Sequence, residues 1–152
     1  MIPKKIQFTK EGFQKIQNDF QNLKDKRKEA VINLRTAREM GDLSENGAYK
    51  AARFELSSID RQLRRLTFQM RFAQIVEPKS NGVIEFGSRV ILDDGTKRLT
   101  FTLVNSYESN PLQQKLSVNS PIGKAIIGKR VGDVITVTSP SGNITYTIIQ
   151  IE

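Results

Sequence analysis

Hydrophobic positions divide the chain into two halves with different periods. In the first half Phe13, Ile16, Phe20, Leu23, Arg27, Ala30, Leu34 and Ala37 follow alternating steps of three and four, so that all but Arg27 lay an apolar seam along one helix. A second series with the same steps, Tyr49, Ala52, Leu56, Ile59, Leu63, Leu66, Met70 and Ala73, predicts another helix whose seam can face the first. Thr9 suits the N-cap of the first helix, and Gly41 is the first break after a stretch from Phe13 to Met40 without Gly or Pro. At 1.5 Å per residue, roughly thirty residues make a rod of about 45 Å, longer than a small domain needs, so most of it is expected to project.

Near Pro78 the pattern changes. Glu77-Pro78-Lys79-Ser80-Asn81-Gly82 reads as a linker, after which β-branched residues and turn signals take over. Strands are predicted at Val83 to Phe86, Arg89 to Leu92, Arg98 to Val104, Leu116 to Val118, Val134 to Thr138 and Ile144 to Ile151. Asp94-Gly95 and Ser141-Gly142-Asn143 supply turn chemistry, and Pro121 to Ile127 can form a short helix with Ile126 and Ile127 facing the sheet. The expected class is α+β: a helical hairpin over residues 1–77 and a compact α+β domain over 78–152.

Charge and composition narrow the chemistry. There are 24 Lys and Arg against 16 Asp and Glu, a net charge of +8, which favours encounters with nucleic acid or acidic protein surfaces. Through Glu77 the count is sixteen basic against ten acidic residues, and eight against six after it, so the excess belongs mainly to the hairpin. With no Cys and no His, thiolate nucleophiles, serine-histidine relays and His-based zinc sites are excluded, and any metal needs oxygen ligands. No apolar stretch is long enough for a signal peptide or a membrane span, so a cytoplasmic protein without membrane contact is expected.

The break Gly41-Asp42-Leu43-Ser44-Glu45-Asn46 between the seams puts two carboxylates at the end of a rod. Asp42-Leu43-Ser44-Glu45 fits a capping box, with Asp42 as N-cap and Glu45 reaching back to its amide, and acids suit a helix start electrostatically. The alternative is a delivered acidic group, because a helix turn needs no long rod beneath it to be capped. Arg35, Arg38, Lys50 and Arg53 flank the tip and can hold phosphates, or simply be solvated and ion-paired along a helix face. Tyr49 fits the apolar seam before it fits a stacking platform.

The run from Ala37 to Arg53, containing Gly41-Asp42-Leu43-Ser44-Glu45-Asn46-Gly47-Ala48-Tyr49, resembles the hairpin signature of bacterial Gre transcript cleavage factors, the GreA/GreB family. In the second half Leu116-Ser117-Val118-Asn119-Ser120-Pro121-Ile122-Gly123-Lys124-Ala125-Ile126-Ile127-Gly128, followed by Val131-Gly132-Asp133, resembles the family's C-terminal signature. The resemblance covers nearly the whole chain in order. It implies an N-terminal antiparallel coiled coil and a C-terminal FKBP-like domain without prolyl isomerase activity.

It also implies a function. Gre factors insert the hairpin through the secondary channel of RNA polymerase and act on backtracked complexes, where the 3′ end of the RNA is extruded. On that resemblance Asp42 and Glu45 help hold a Mg²⁺ ion beside the polymerase's own metal, and Arg38, Lys50 and Arg53 contact the extruded RNA. Ser120, Pro121 and Ile122 dock at the channel entrance, Ser44 orients water or starts the helix, and Leu43 packs the loop or an apolar spot inside the channel. The factor alone is expected to be inert and monomeric, since polymerase supplies the active site. Relatives often carry an acid just before the tyrosine where this chain has Gly47-Ala48, which implies a less acidic tip and slower cleavage. The segment Ile59 to Leu66 leans toward GreB, while Ala51-Ala52 and the C-terminal signature lean toward GreA, which is favoured. Two other classes stay open: a noncatalytic regulator that plugs the channel, and a basic coiled-coil RNA-binding adaptor whose acids are only caps.

Overall fold

In the computed structural model, which describes residues 3–42, 45–79 and 81–152, β1 (Ile6–Phe8) leads into α1 (Lys10–Arg38), followed by α2 (Gly47–Arg71) and β2 (Ala73–Ile75). The expectations attached to Leu43 and Ser44, and Ser80 of the linker, lie outside the described residues. Two compact units result. One is Phe13–Ala73 and the other joins Lys5–Gly12 to Gln74–Glu152, a partition that differs from a single cut at Glu77/Pro78.

The helical unit forms where the seams are written. Ile16, Ala30 and Ala37 of α1 and Ala52, Ile59 and Leu66 of α2 are buried, and the other apolar seam residues are half-buried. Three of those six buried residues are alanines, which cost no side-chain entropy and allow close backbone approach at the expense of buried apolar area. Reading one seam forwards and the other backwards brings Arg27 level with Ile59. Next to Ile59 stands Asp60, whose Oδ1 accepts a hydrogen bond from Arg27 Nε at 2.6 Å. The one polar seam residue thus ties the helices in antiparallel register, and this bond together with the Asp60 charge raises the Arg27 pKa above its ordinary value.

Thr9 is the N-cap of α1 as expected: its Oγ1 accepts from Gly12 N at 3.0 Å. The same hydroxyl donates to Glu108 Oε1 at 2.5 Å, and Thr9 N donates to Glu108 Oε2 at 3.2 Å. A Cβ on Gly12 would run into the Glu108 carboxylate, so the glycine is what lets that acid reach the helix start. Ala73, read as the last seam position, lies instead in β2, which pairs with β1 after α2 ends at Arg71.

The second unit is built on a five-stranded sheet. Its strands are β3 (Arg89–Asp93), β4 (Arg98–Val104), β5 (Lys115–Ser117), β6 (Val134–Ser139) and β7 (Gly142–Ile151), in the order β5-β4-β3-β7-β6. All pairings are antiparallel except β4 with β5. Alternation puts Val90, Leu92, Phe101, Leu103, Ile135, Val137, Tyr146 and Ile148 into one core with Ile126 of α3 (Pro121–Ile126). In β7 the residues facing that core change parity, from Tyr146 and Ile148 to Ile151. The register shift opposite Ile91 and Leu92 explains this: Ile91 pairs with Gln150 and Leu92 with Ile148, leaving Ile149 as the extra residue of a bulge.

Four sequence expectations shift here. Val83 to Phe86 is no strand; only Val83 bridges to Arg130, although Ile84 and Phe86 are buried. The strand placed at Leu116 to Val118 runs Lys115–Ser117 because it pairs with Thr102–Val104. The short helix ends at Ile126, one residue before the expected Ile127. Ile126 is fully buried, but Ile127 caps the end of α3 and is 45% exposed, so it is not core.

Candidate functional site

The segment joining α1 to α2 is closed by one side chain. Asn46, with extended backbone, is the N-cap of α2: its Oδ1 accepts from Tyr49 N at 3.1 Å. Its Nδ2 donates across the hairpin to the carbonyl of Ala37 at 2.7 Å. That carbonyl, in the last turn of α1, also accepts from Met40 N at 3.2 Å, so Asn46 adds a donor from across the hairpin while its Oδ1 satisfies an orphan donor at the start of α2. A second link is cationic, with the Arg38 guanidinium 5.8 Å from the centre of the Tyr49 ring. Gly41, at φ +120°, takes a backbone conformation that side chains other than hydrogen disfavour as the chain leaves α1.

The capping-box reading of Asp42 and Glu45 is therefore corrected: neither is the N-cap of α2, and Glu45 precedes the helix instead of occupying its third position. Both carboxylates are exposed on non-helical residues of the connecting segment. Arg35, Arg38, Lys50 and Arg53 are exposed on the adjoining turns, and Tyr49 is half-buried as its seam position requires. The structure thus brings Arg38 to Tyr49 and ties both helix ends through Asn46, the residue that sequence reasoning missed. Its signal was present, because Asn is among the best N-cap residues and stands directly before Gly47.

Two exposed carboxylates offer the hard oxygen donors that Mg²⁺ prefers, and they fit a share of its octahedral shell, not all of it. Among the described residues no three His, Cys, Asp or Glu side chains gather as a self-sufficient metal site. An ion held here would draw its remaining ligands from water or a partner.

The other expected residues sit at the start of α3. Ser120 is its N-cap, accepting from Gly123 N at 3.0 Å and donating to the Ser117 carbonyl at 2.7 Å. Ile122 packs against the sheet core, and Pro121, at the first turn, is exposed. A Cβ on Gly123 would lie 2.3 Å from the Ser117 carbonyl oxygen, so glycine is needed for the helix to approach β5.

Residues 6–75 match the family model described as "Transcription elongation factor, N-terminal", and residues 79–152 match "Transcription elongation factor, GreA/GreB, C-term". The chain belongs to the GreA/GreB family of transcription elongation factors. It is 37% identical over 153 residues to the transcription elongation factor GreA of Rickettsia canadensis (strain McKiel), covering 97% of this chain and 94% of that one. Against GreA of Geobacillus kaustophilus (strain HTA426) it is 37% identical over 155 residues, covering 98% of each. Among solved structures, GreA factor homolog 1 (Gfh1) of Thermus thermophilus is 30% identical, with 98% of this chain and 99% of that chain covered and a TM-score of 0.47. For this GreA/GreB family member no helix among the described residues is long and apolar enough to cross a membrane.

Proposed function

We propose that this chain inserts its helical hairpin into the secondary channel of bacterial RNA polymerase and stimulates Mg²⁺-dependent cleavage of the 3′ end of backtracked RNA, rescuing arrested complexes. The observation that carries the reading is the division of labour at the hairpin end. Asn46, and neither Asp42 nor Glu45, is the N-cap of α2, and both acids stand exposed between the helices. Asp42 and Glu45 hold Mg²⁺ jointly with polymerase ligands. That ion supplies activation of the attacking water and stabilisation of the leaving oxygen when bound.

The rest of the chain positions. Arg38, Lys50 and Arg53 neutralise phosphates of the extruded strand, and the Arg38 contact with Tyr49 holds one of these cations against the hairpin. Ser120, Pro121 and Ile122 form the contact at the channel entrance, with Pro121 the most exposed of the three. Polymerase supplies the catalytic centre, and the factor alone, a monomer, cleaves no RNA.

The test uses stalled, backtracked polymerase with Mg²⁺ and the full chain. Release of short 3′ fragments is expected, abolished in Asp42→Asn combined with Glu45→Gln while polymerase binding persists. Undiminished fragment release by that double variant rejects the ligand role. Binding that slows synthesis without producing fragments identifies a plug instead.

A further inference from the structure

The two flanks of the hairpin seam are unlike each other. One flank carries a groove of about 1050 Å³ between the helices, running from Phe20 to Val31 on α1 and from Asp60 on α2 to Phe72 just past its end. Its floor is apolar: Phe20, Val31, Leu63 and Phe72 are half-buried, and Phe68 is 46% exposed. Its rim is cationic, with Lys24, Lys28, Arg64 and Arg71 exposed along both edges. The single acid there, Asp60, is already bound to Arg27. The other flank holds a smaller hollow of about 270 Å³ lined largely by polar residues such as Asp19, Asn22, Lys26 and Gln62.

We propose that this groove is a docking site for an acidic amphipathic helix of a partner protein, which would lie along the hairpin as a third helix. The eleven helical rises from Phe20 to Val31 make a trough about 17 Å long, the length of about three helical turns. A helix seated there buries an apolar stripe at i, i+3, i+4 and i+7 on the phenylalanine and aliphatic floor, while acids on its flanks meet the four cations of the rim, of which Lys28 also faces Asp25 at 3.9 Å. A single nucleic-acid strand suits the trough less well, because Phe68 and Phe72 pack their rings on each other, 4.9 Å between centres, and do not offer a series of separate faces for successive bases. Lys24 Nζ lies 5.4 Å from the Phe20 ring centre and the Arg71 guanidinium 5.6 Å from that of Phe72, which holds these two cations at the groove edge. The proposal goes beyond the cleavage reading and does not use the tip residues.

The probe is a fluorescent 14-residue peptide with Leu at the four stripe positions and Glu beside them, compared with a scrambled peptide of the same composition and a 12-nucleotide single-stranded RNA. Binding to the full chain is read by anisotropy at about 0.15 M salt. The patterned peptide is expected to bind at least tenfold tighter than the scrambled one, and Lys28→Glu combined with Arg64→Glu to weaken it at least tenfold. Circular dichroism establishes that this rim variant is still helical. If it has unfolded, Lys28→Gln with Arg64→Gln replaces it, with at least a threefold loss expected. Equal binding of patterned and scrambled peptides overturns the proposal, as does an unchanged affinity in a folded rim variant. RNA displacing the peptide from the same residues at lower concentration also overturns it, in favour of a nucleic-acid groove.

Discussion

The sheet unit and the helical hairpin are stabilised in different ways. In the sheet unit, alternating residues from β3, β4, β6 and β7 close with Ile126 into one contiguous core, and Val90, Leu92, Leu103 and Ile126 are fully buried. The hairpin has three alanines among its few buried apolar residues and leaves Ile32, Met40, Phe54 and Phe68 exposed. Its pairing is therefore held by a thin apolar seam together with a few polar ties, Arg27 to Asp60 and Asn46 to Ala37. A unit held this way can carry most of the chain's basic excess on its surface without disturbing a core.

The strongest way to break the comparison is to truncate a matched leucine in each unit. Leu103→Ala removes a fully buried side chain from β4 and is expected to cost about 3 kcal/mol. Leu23→Ala, at a half-buried seam position of α1, is expected to cost less than half of that. Urea denaturation followed by methyl NMR resolves the two units separately. Equal losses at the two sites would show that the hairpin is packed as tightly as the sheet.

Asn46 tests whether polar ties stand in for a core. Asn46→Ala removes the cap and leaves the Ala37 carbonyl without its side-chain donor, for an expected loss of about 1–2 kcal/mol in hairpin stability. Asn46→Asp keeps an acceptor for Tyr49 N but donates nothing to Ala37, so it is expected to lose less. Hydrogen exchange at the Tyr49 amide reads this directly: protection falls in the alanine variant and persists in the aspartate variant. Loss of protection in both would place the tie to Ala37 above the cap in importance.

The pattern of the sequence carried much of this arrangement. Both seams, the Thr9 cap, and β4 over Arg98–Val104 follow from periodicity and cap chemistry, because those segments are long or carry a strong local signal. What escaped depends on partners distant in the chain. β1 and β2 have three residues each, too few to show a period, and the step from Met70 to Ala73 fits a helix as well as its end. Val83 to Phe86 has strand composition, yet Ile84 N donates to the Lys129 carbonyl, outside any ladder. At the tip, Asp42 and Glu45 match the spacing of a capping box, which hid the competing cap at Asn46, four residues after Asp42. Asp60 needed the antiparallel register before it could be seen opposite Arg27.

The smallest expected effect separates the β3–β4 turn from the Asn46 cap by pH. In the β3–β4 turn, Asp94 accepts hydrogen bonds from Lys97 N at 2.8 Å and Thr96 N at 2.9 Å, and from the Thr96 hydroxyl at 2.8 Å. These bonds favour the ionised carboxylate and lower its pKa below the ordinary value, the Lys97 amide contributing most. Because the folded pKa is depressed, the contribution is fully present above the unfolded value of about 3.9 and is lost as pH falls through the folded one. Asp94→Asn offers an acceptor that never ionises, so the melting temperature of the wild type is expected to exceed that of the variant at pH 7, with the gap closing below about pH 4. The Asn46 cap has no such dependence, since an amide does not titrate. A gap that stays constant from pH 7 to pH 2 at fixed ionic strength would mean that shape, not charge, sets this turn, and the contrast between an ionisable tie in the sheet and a neutral one in the hairpin would fail.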